Sequence, residues 1–282
     1  MVLESVFNPF TAAKRPWELL LAGIIYGTAA LFLSIWIFEE YASLVMVFFA
    51  VMACLPLFYK TLKAEEAKDL IINSESKLLK EHGKAIMLLV LLFLGLTIAF
   101  SFWYVALPVE TSNSVFKIQT QTIASLNQQV TGSIAKFNLL NRIFLNNIKV
   151  LIFCILFSFI YGSGAIFILT WNASVIGAAA GNFIRTHLAQ YAGAIGFAKV
   201  SSYFYASSLS VLRYSLHGVP EILAYFVAGL AGGILSVAII KKDFGTKRFE
   251  RILLDSSDLI LIAVFILFVA ALLEVFITPI FF

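Results

Sequence analysis

Residues 220–251 read PEILAYFVAGLAGGILSVAIIKKDFGTKRFER. Twenty-one residues from Pro220 to Ile240 carry a single charge, Glu221. Eleven residues from 241 to 251 then carry five basic and two acidic side chains. About 20 apolar residues are needed to cross a bilayer as a helix, and a basic run beside such a block marks the cytoplasmic side. This stretch therefore reads as a transmembrane helix that enters from outside and ends inside.

The rest of the chain repeats the pattern. It is 61% hydrophobic and 13% charged, against about 25% charged in soluble domains. Its apolar blocks do not alternate with period two, which excludes an outer-membrane barrel. Its basic residues flank apolar blocks, so the net charge of +4 indicates membrane topology and not nucleic-acid binding. The fold class is all-α: a polytopic transmembrane bundle of about seven crossings, with one irregular or broken polar span and an outer amphipathic helix. Cys54 and Cys154 both fall inside apolar blocks and read as core packing.

Residues 1–59 form a leader and a first hairpin, with spans at about 17–38 and 42–59. The stretch after Lys14 and Arg15 is too long for a signal h-region, and those charges place the N-terminus in the cytoplasm. Residues 60–84 hold six Lys and five acidic residues. They predict a charged cytoplasmic helix, either solvated or docking a partner, with Lys77 and Glu81 able to pair four residues apart. Residues 85–282 form a membrane core. A span at about 85–106 leads to an outer segment, 107–147. There Ile123, Leu126, Val130, Ile134 and Phe137 recur at helical spacing, which predicts an amphipathic helix along the interface. A fourth span runs from about 148 to 171. Residues 173–216 are interrupted by Asn182, Arg185, His187 and Gln190, and parity requires them to cross an odd number of times. A last span, about 259–276, puts the C-terminus outside, with Glu274 at the surface or snorkelling.

Two G-x-x-x-G pairs, Gly177/Gly181 and Gly229/Gly233, mark close helix approaches, within one bundle or across a homodimer. Pro220 suits the first position of a helix, Gly218 the bend before it, and Glu221 the first turn. His217 lies within reach of Glu221. This His–Glu pair either locks an outer loop or belongs to a polar cluster with Arg185, His187 and Asn172, since ionisable groups at membrane depth are functional candidates. Asn146 and Asn147 cap the fourth span. Three histidines without H-E-x-x-H exclude a zinc protease pattern. Tyr161-Gly162-Ser163-Gly164 matches the G-x-S-G of an intramembrane serine hydrolase except at its first glycine. No cofactor or metal is expected.

Asn146-Asn147, the Tyr161–Gly164 stretch leading to Trp171-Asn172-Ala-Ser-Val-Ile-Gly177, and His217-Gly218-x-x-Glu221 followed by Ala228-Gly229 and Gly232 occur in an order that resembles the stage II sporulation protein M (SpoIIM) family, over roughly residues 85–280. Ala173 stands where that family usually has glycine. The resemblance implies a non-enzymatic plasma-membrane component that recruits or anchors partners. Its expected partners are membrane lipids, unidentified proteins and a second copy, with no nucleic acid. The alternatives are a transporter with a polar path and, third, an intramembrane hydrolase.

Overall fold

The computed structural model describes residues 16–71, 75–130, 136–161, 164–190, 197–240 and 245–281. Among these no strand occurs. The helices are α1 (Trp17–Ile37), α2 (Ala42–Ile71), α3 (Glu75–Ala106), α4 (Val109–Val115), α5 (Lys117–Val130), α6 (Lys136–Tyr161), α7 (Ala165–Gln190), α8 (Phe197–Ile240), α9 (Lys247–Leu272) and α10 (Thr278–Phe281), with a π-helical turn at Leu273–Ile277. Seven stretches of these are long and apolar enough to cross a membrane. The leader with Lys14 and Arg15, the Gly162-Ser163 pair and Ile134 lie outside the described residues.

Small residues decide how the helices meet. α1 packs on α3 through Gly23 and Gly95, where a Cβ on Gly23 would overlap the Leu92 carbonyl and one on Gly95 the Leu20 carbonyl. α3 packs in turn on α7, where a Cβ on Gly177 would come within 2.7 Å of the Phe100 Cβ and one on Gly181 within 2.6 Å of the Tyr104 Cβ. α8 packs on α6, α7 and α9. Gly229 faces Ala165, and Gly232 faces the Ile155 carbonyl; Gly233 is buried beside it. The Gly177/Gly181 face and the Gly229 and Gly232 positions are thus occupied within the chain, as close packing in lipid requires. Cys54 and Cys154 are buried thiols in the core.

Three elements differ from the sequence reading. α6 ends at Tyr161 and α7 runs from Ala165 to Gln190 through Asn172, so the fifth crossing is the unbroken helix α7. Asn172 does not stop it, because its amide donates to the Ile168 carbonyl one turn back at 2.8 Å. α8 starts 23 residues before Pro220 and runs through it for 44 residues, about 66 Å at the rise of a helix. Pro220 removes one backbone bond, to Leu216, and not the helix; Gly218 is no bend, and Glu221 is not in a first turn. Residues 60–84 are not a separate helix. Residues 60–71 end α2 and residues 75–84 begin α3, and the two meet through Glu65 and His82.

The segment after α3 caps the bundle. Val115 and Phe116 are fully buried, and the Phe116 ring lies 5.2 Å from that of Tyr104. One turn on, Gln119 is fully buried too. Its Oε1 accepts from the Ser43 hydroxyl (2.6 Å), and its Nε2 donates to the Ser43 carbonyl and the Ser174 hydroxyl (3.2 Å each). α5 is therefore pinned between α2 and α7 by a satisfied amide as well as by the predicted Ile123, which packs against the core.

Candidate functional site

Glu221 and Tyr225 lie four residues apart on α8 and so share one face. Tyr225 is fully buried, and its hydroxyl donates to Glu221 Oε1 at 2.7 Å. The Tyr225 ring lies close to Cys154 of α6 and to Glu274 of the π-turn, and Glu274 and Glu221 are near enough to interact electrostatically. The π-turn packs against α6 and α8, and such turns often sit at functional sites. Here the turn sets Glu274 towards α8. Among the described residues no hydrogen bond or ion pair holds Glu274, and no cation pairs with Glu221. Two half-buried carboxyl groups thus come within electrostatic range of each other, one of them bonded to a tyrosine.

His217 is one turn from Glu221 but pairs elsewhere. Its Nδ1 lies 3.3 Å from Thr278 Oγ1, and the Thr278 hydroxyl donates to the Leu273 carbonyl at 3.1 Å. A hydroxyl has one proton, so if Thr278 donates to Leu273 it accepts from a His217 tautomer protonated at Nδ1. The histidine thereby ties α8 to the far end of the π-turn. Asn147 lies seven residues before Cys154 on the same face of α6 and is 7% exposed, whereas Asn146 is exposed. α6 begins at Lys136, so both asparagines lie inside the helix and neither caps the fourth span.

The other expected cluster members stand apart. Arg185 Nη2 donates to the carbonyls of Tyr104, Val105 (3.3 Å) and Leu107 (2.8 Å), and its guanidinium lies 5.1 Å from the Tyr104 ring centre. His187 Nδ1 bonds the Phe183 carbonyl at 2.9 Å, within α7. Asn172 bonds Ile168, also within α7. Of the five residues read as one polar cluster, only His217 and Glu221 meet at a common site, the π-turn. Glu274, expected at the surface, joins them instead. Its signal in the sequence was a lone acid in an apolar run; its neighbours were 50 residues away.

Residues 89–279 of the 282 match the family described as stage II sporulation protein M. The chain belongs to the SpoIIM family. No curated protein and no solved structure matches it. The SpoIIM match contains Asn147, His217, Glu221, Tyr225 and Glu274, so the whole site lies inside the family region. Among the described residues no group of three His, Cys, Asp or Glu is placed to hold a metal.

A second polar network lies outside the SpoIIM region, at the α2–α3 hairpin. Glu65 and His82 are each 2% exposed. His82 Nδ1 lies 2.9 Å from Glu65 Oε2, and Lys68 Nζ lies 2.8 Å from Glu65 Oε1 and 3.3 Å from Glu81 Oε2. Glu81 also pairs with Lys84, not with Lys77. Burial works against the Lys68 ammonium, but its bonds to Glu65 and Glu81 outweigh that and hold its pKa above the ordinary value. The sequence reading placed the segment that holds His82 on a charged cytoplasmic helix, either solvated or docking a partner. The missed signal is that Glu65 and His82 come together only when the charged segment folds back on itself.

Proposed function

We propose that this SpoIIM-family protein is a membrane scaffold that holds partner proteins through its two polar ends. The observation that carries the reading is the dry layer between those ends. Seven apolar side chains, Leu89, Leu92, Phe93, Leu96, Ile166, Leu169 and Phe226, and one hydroxyl, Thr170, leave a void of about 10 Å³, at or below the room one water needs. The Phe93 and Phe226 rings meet edge-on at 6.0 Å. A conduit needs a polar path across this depth, whereas a scaffold needs fixed surfaces at each face. The basic residues near α2, α3 and α9 support a cytoplasmic position for the Glu65–His82 end. The His217–Glu274 site then faces the outer leaflet, with the C-terminus outside.

The test is affinity capture from native membranes with mass spectrometry, comparing wild type with a His217→Ala/Glu221→Gln variant of equal expression and equal gel-filtration profile. The expected result is a reproducible partner set that the variant loses. Recovery of the chain alone in both forms would sink the scaffold. A second reading, proton-coupled transport, is favoured by one observation: Glu221 and Glu274 face each other without a cation. In proteoliposomes it requires a proton flux that Glu274→Gln abolishes.

A further inference from the structure

We infer that the groove between α3, α7 and α8 holds one acyl chain of a phospholipid whose phosphate rests on Arg185. The groove has a volume of about 730 Å³ and is lined mainly by apolar side chains, among them Phe93 and Leu94 of α3, Ile176 and Ala180 of α7, and Val219 of α8. It opens on the side of the bundle, where the lining residues Ile98, Phe102 and Val211 are exposed. Its floor reaches the backbone of α8 at Gly218, where an added Cβ would meet nothing within 4 Å. Buried apolar cavities of this kind stay dry and take apolar guests. Open to hydrocarbon, this one fills with a lipid chain.

Charge at one end of the groove selects the headgroup. Val105, Ala106 and Ile184 line that end, and Arg185 Nη2 donates to the Val105 carbonyl beside it. All three carbonyl bonds of Arg185 use this one nitrogen. A guanidinium has five N–H donors, so Nη1 and Nε keep theirs. Among the described residues no carboxylate pairs with Arg185. It stands where α3 ends, at Ala106, and five residues before α7 ends, the depth of a headgroup. Guanidinium and phosphate match in shape and charge. A partner's transmembrane helix fits less well, because helix docking in lipid uses small residues on the facing wall. Gly177 and Gly181 are already spent on α3, and although Ser101, Ala180, Ser207 and Gly218 line the wall, the bulky Ile98, Phe102 and Val211 rim the groove.

Native mass spectrometry of the intact chain, extracted from membranes in mild detergent, tests this by counting phospholipid per chain. Wild type should retain one. Gly218→Phe, which fills the groove from an uncrowded position, should lower retention at least tenfold with an unchanged gel-filtration profile. Arg185→Gln should lower it too, and Arg185→Lys should restore it. A wild-type chain that carries no phospholipid, or either loss variant that keeps as much as wild type, overturns the proposal. A photocrosslinking residue at Val211 should yield an adduct of phospholipid mass; an adduct to another polypeptide overturns it in favour of a helix. Partner capture is read separately, so the scaffold and the lipid site can fail independently.

Discussion

The two polar regions of this molecule solve the burial of charge in opposite ways. At the α2–α3 hairpin, Glu65 lies between His82 and Lys68, and Glu81 between Lys68 and Lys84. Each acid there has basic partners within bonding distance. At the α8–π-turn site, Glu221 faces Glu274 and a tyrosine hydroxyl. The first arrangement is a structural clamp that closes a hairpin outside the SpoIIM region. The second leaves two ionisable carboxyl groups without a cation among the described residues, which a folding argument alone does not require, and it lies within that region. Uncompensated ionisable groups at membrane depth are costly. The contrast therefore points to the π-turn site, and not to the more heavily charged hairpin, as the place where function is held.

The sharpest way to break the comparison is to unbalance the clamp. Glu65→Leu leaves buried bases without their carboxylate and should cost about 3–5 kcal/mol, read by SDS-induced unfolding in mixed micelles. Adding His82→Leu should recover most of that, since an apolar pair of similar volume replaces a buried ion pair at little cost. If the single and double variants unfold together, the network is not a clamp. At the other site Tyr225→Phe comes next. It removes the one hydroxyl bonded to Glu221 and should cost about 1.5–3 kcal/mol in the same assay. Glu274→Gln should behave differently. With no bond or ion pair holding that carboxylate, stability should move by less than about 1 kcal/mol, while partner capture or proton flux changes. A large loss of stability in Glu274→Gln would make the π-turn site structural, like the hairpin.

How far the sequence revealed these regions depended on the range of the contacts. The all-helical class, the number of crossings and the family were legible because each rests on local runs: apolar blocks, basic flanks and short motifs in order. Helix ends were less legible. Asn172 was read as a stop and Pro220 as a start, yet tertiary packing carried the helix through both, with Asn172 bonding back to Ile168 and Gly218 lying over a groove. Long-range pairs were least legible. Glu221 was singled out from its own neighbourhood, but its true companion, Glu274, is placed by a π-turn that no periodicity shows. Gln119, read as part of a polar face, became a buried anchor because Ser43 and Ser174 arrive from two other helices.

The smallest expected effect tests whether the clamp stays compensated through ordinary pH. Lys68 has a folded pKa raised above the ordinary lysine value, so the folded state holds its proton more tightly than the unfolded chain does. Its contribution is complete below the unfolded value and is lost as pH rises through the folded one. Between about pH 7 and 9 Lys68 is charged in both states, and removing it should not alter the slope of stability against pH. Lys68 is also about a third exposed, so solvent screening keeps the contribution small. Lys68→Met should therefore shift the SDS-unfolding midpoint slightly and by the same amount at both pH values, with the difference from wild type narrowing only in strong alkali. A midpoint difference that already changes between about pH 7 and 9 would mean that another group in the network, with His82 first in line, carries the titration. The hairpin would then be a switch, and the contrast with the π-turn site would be one of sensitivity and no longer one of charge balance.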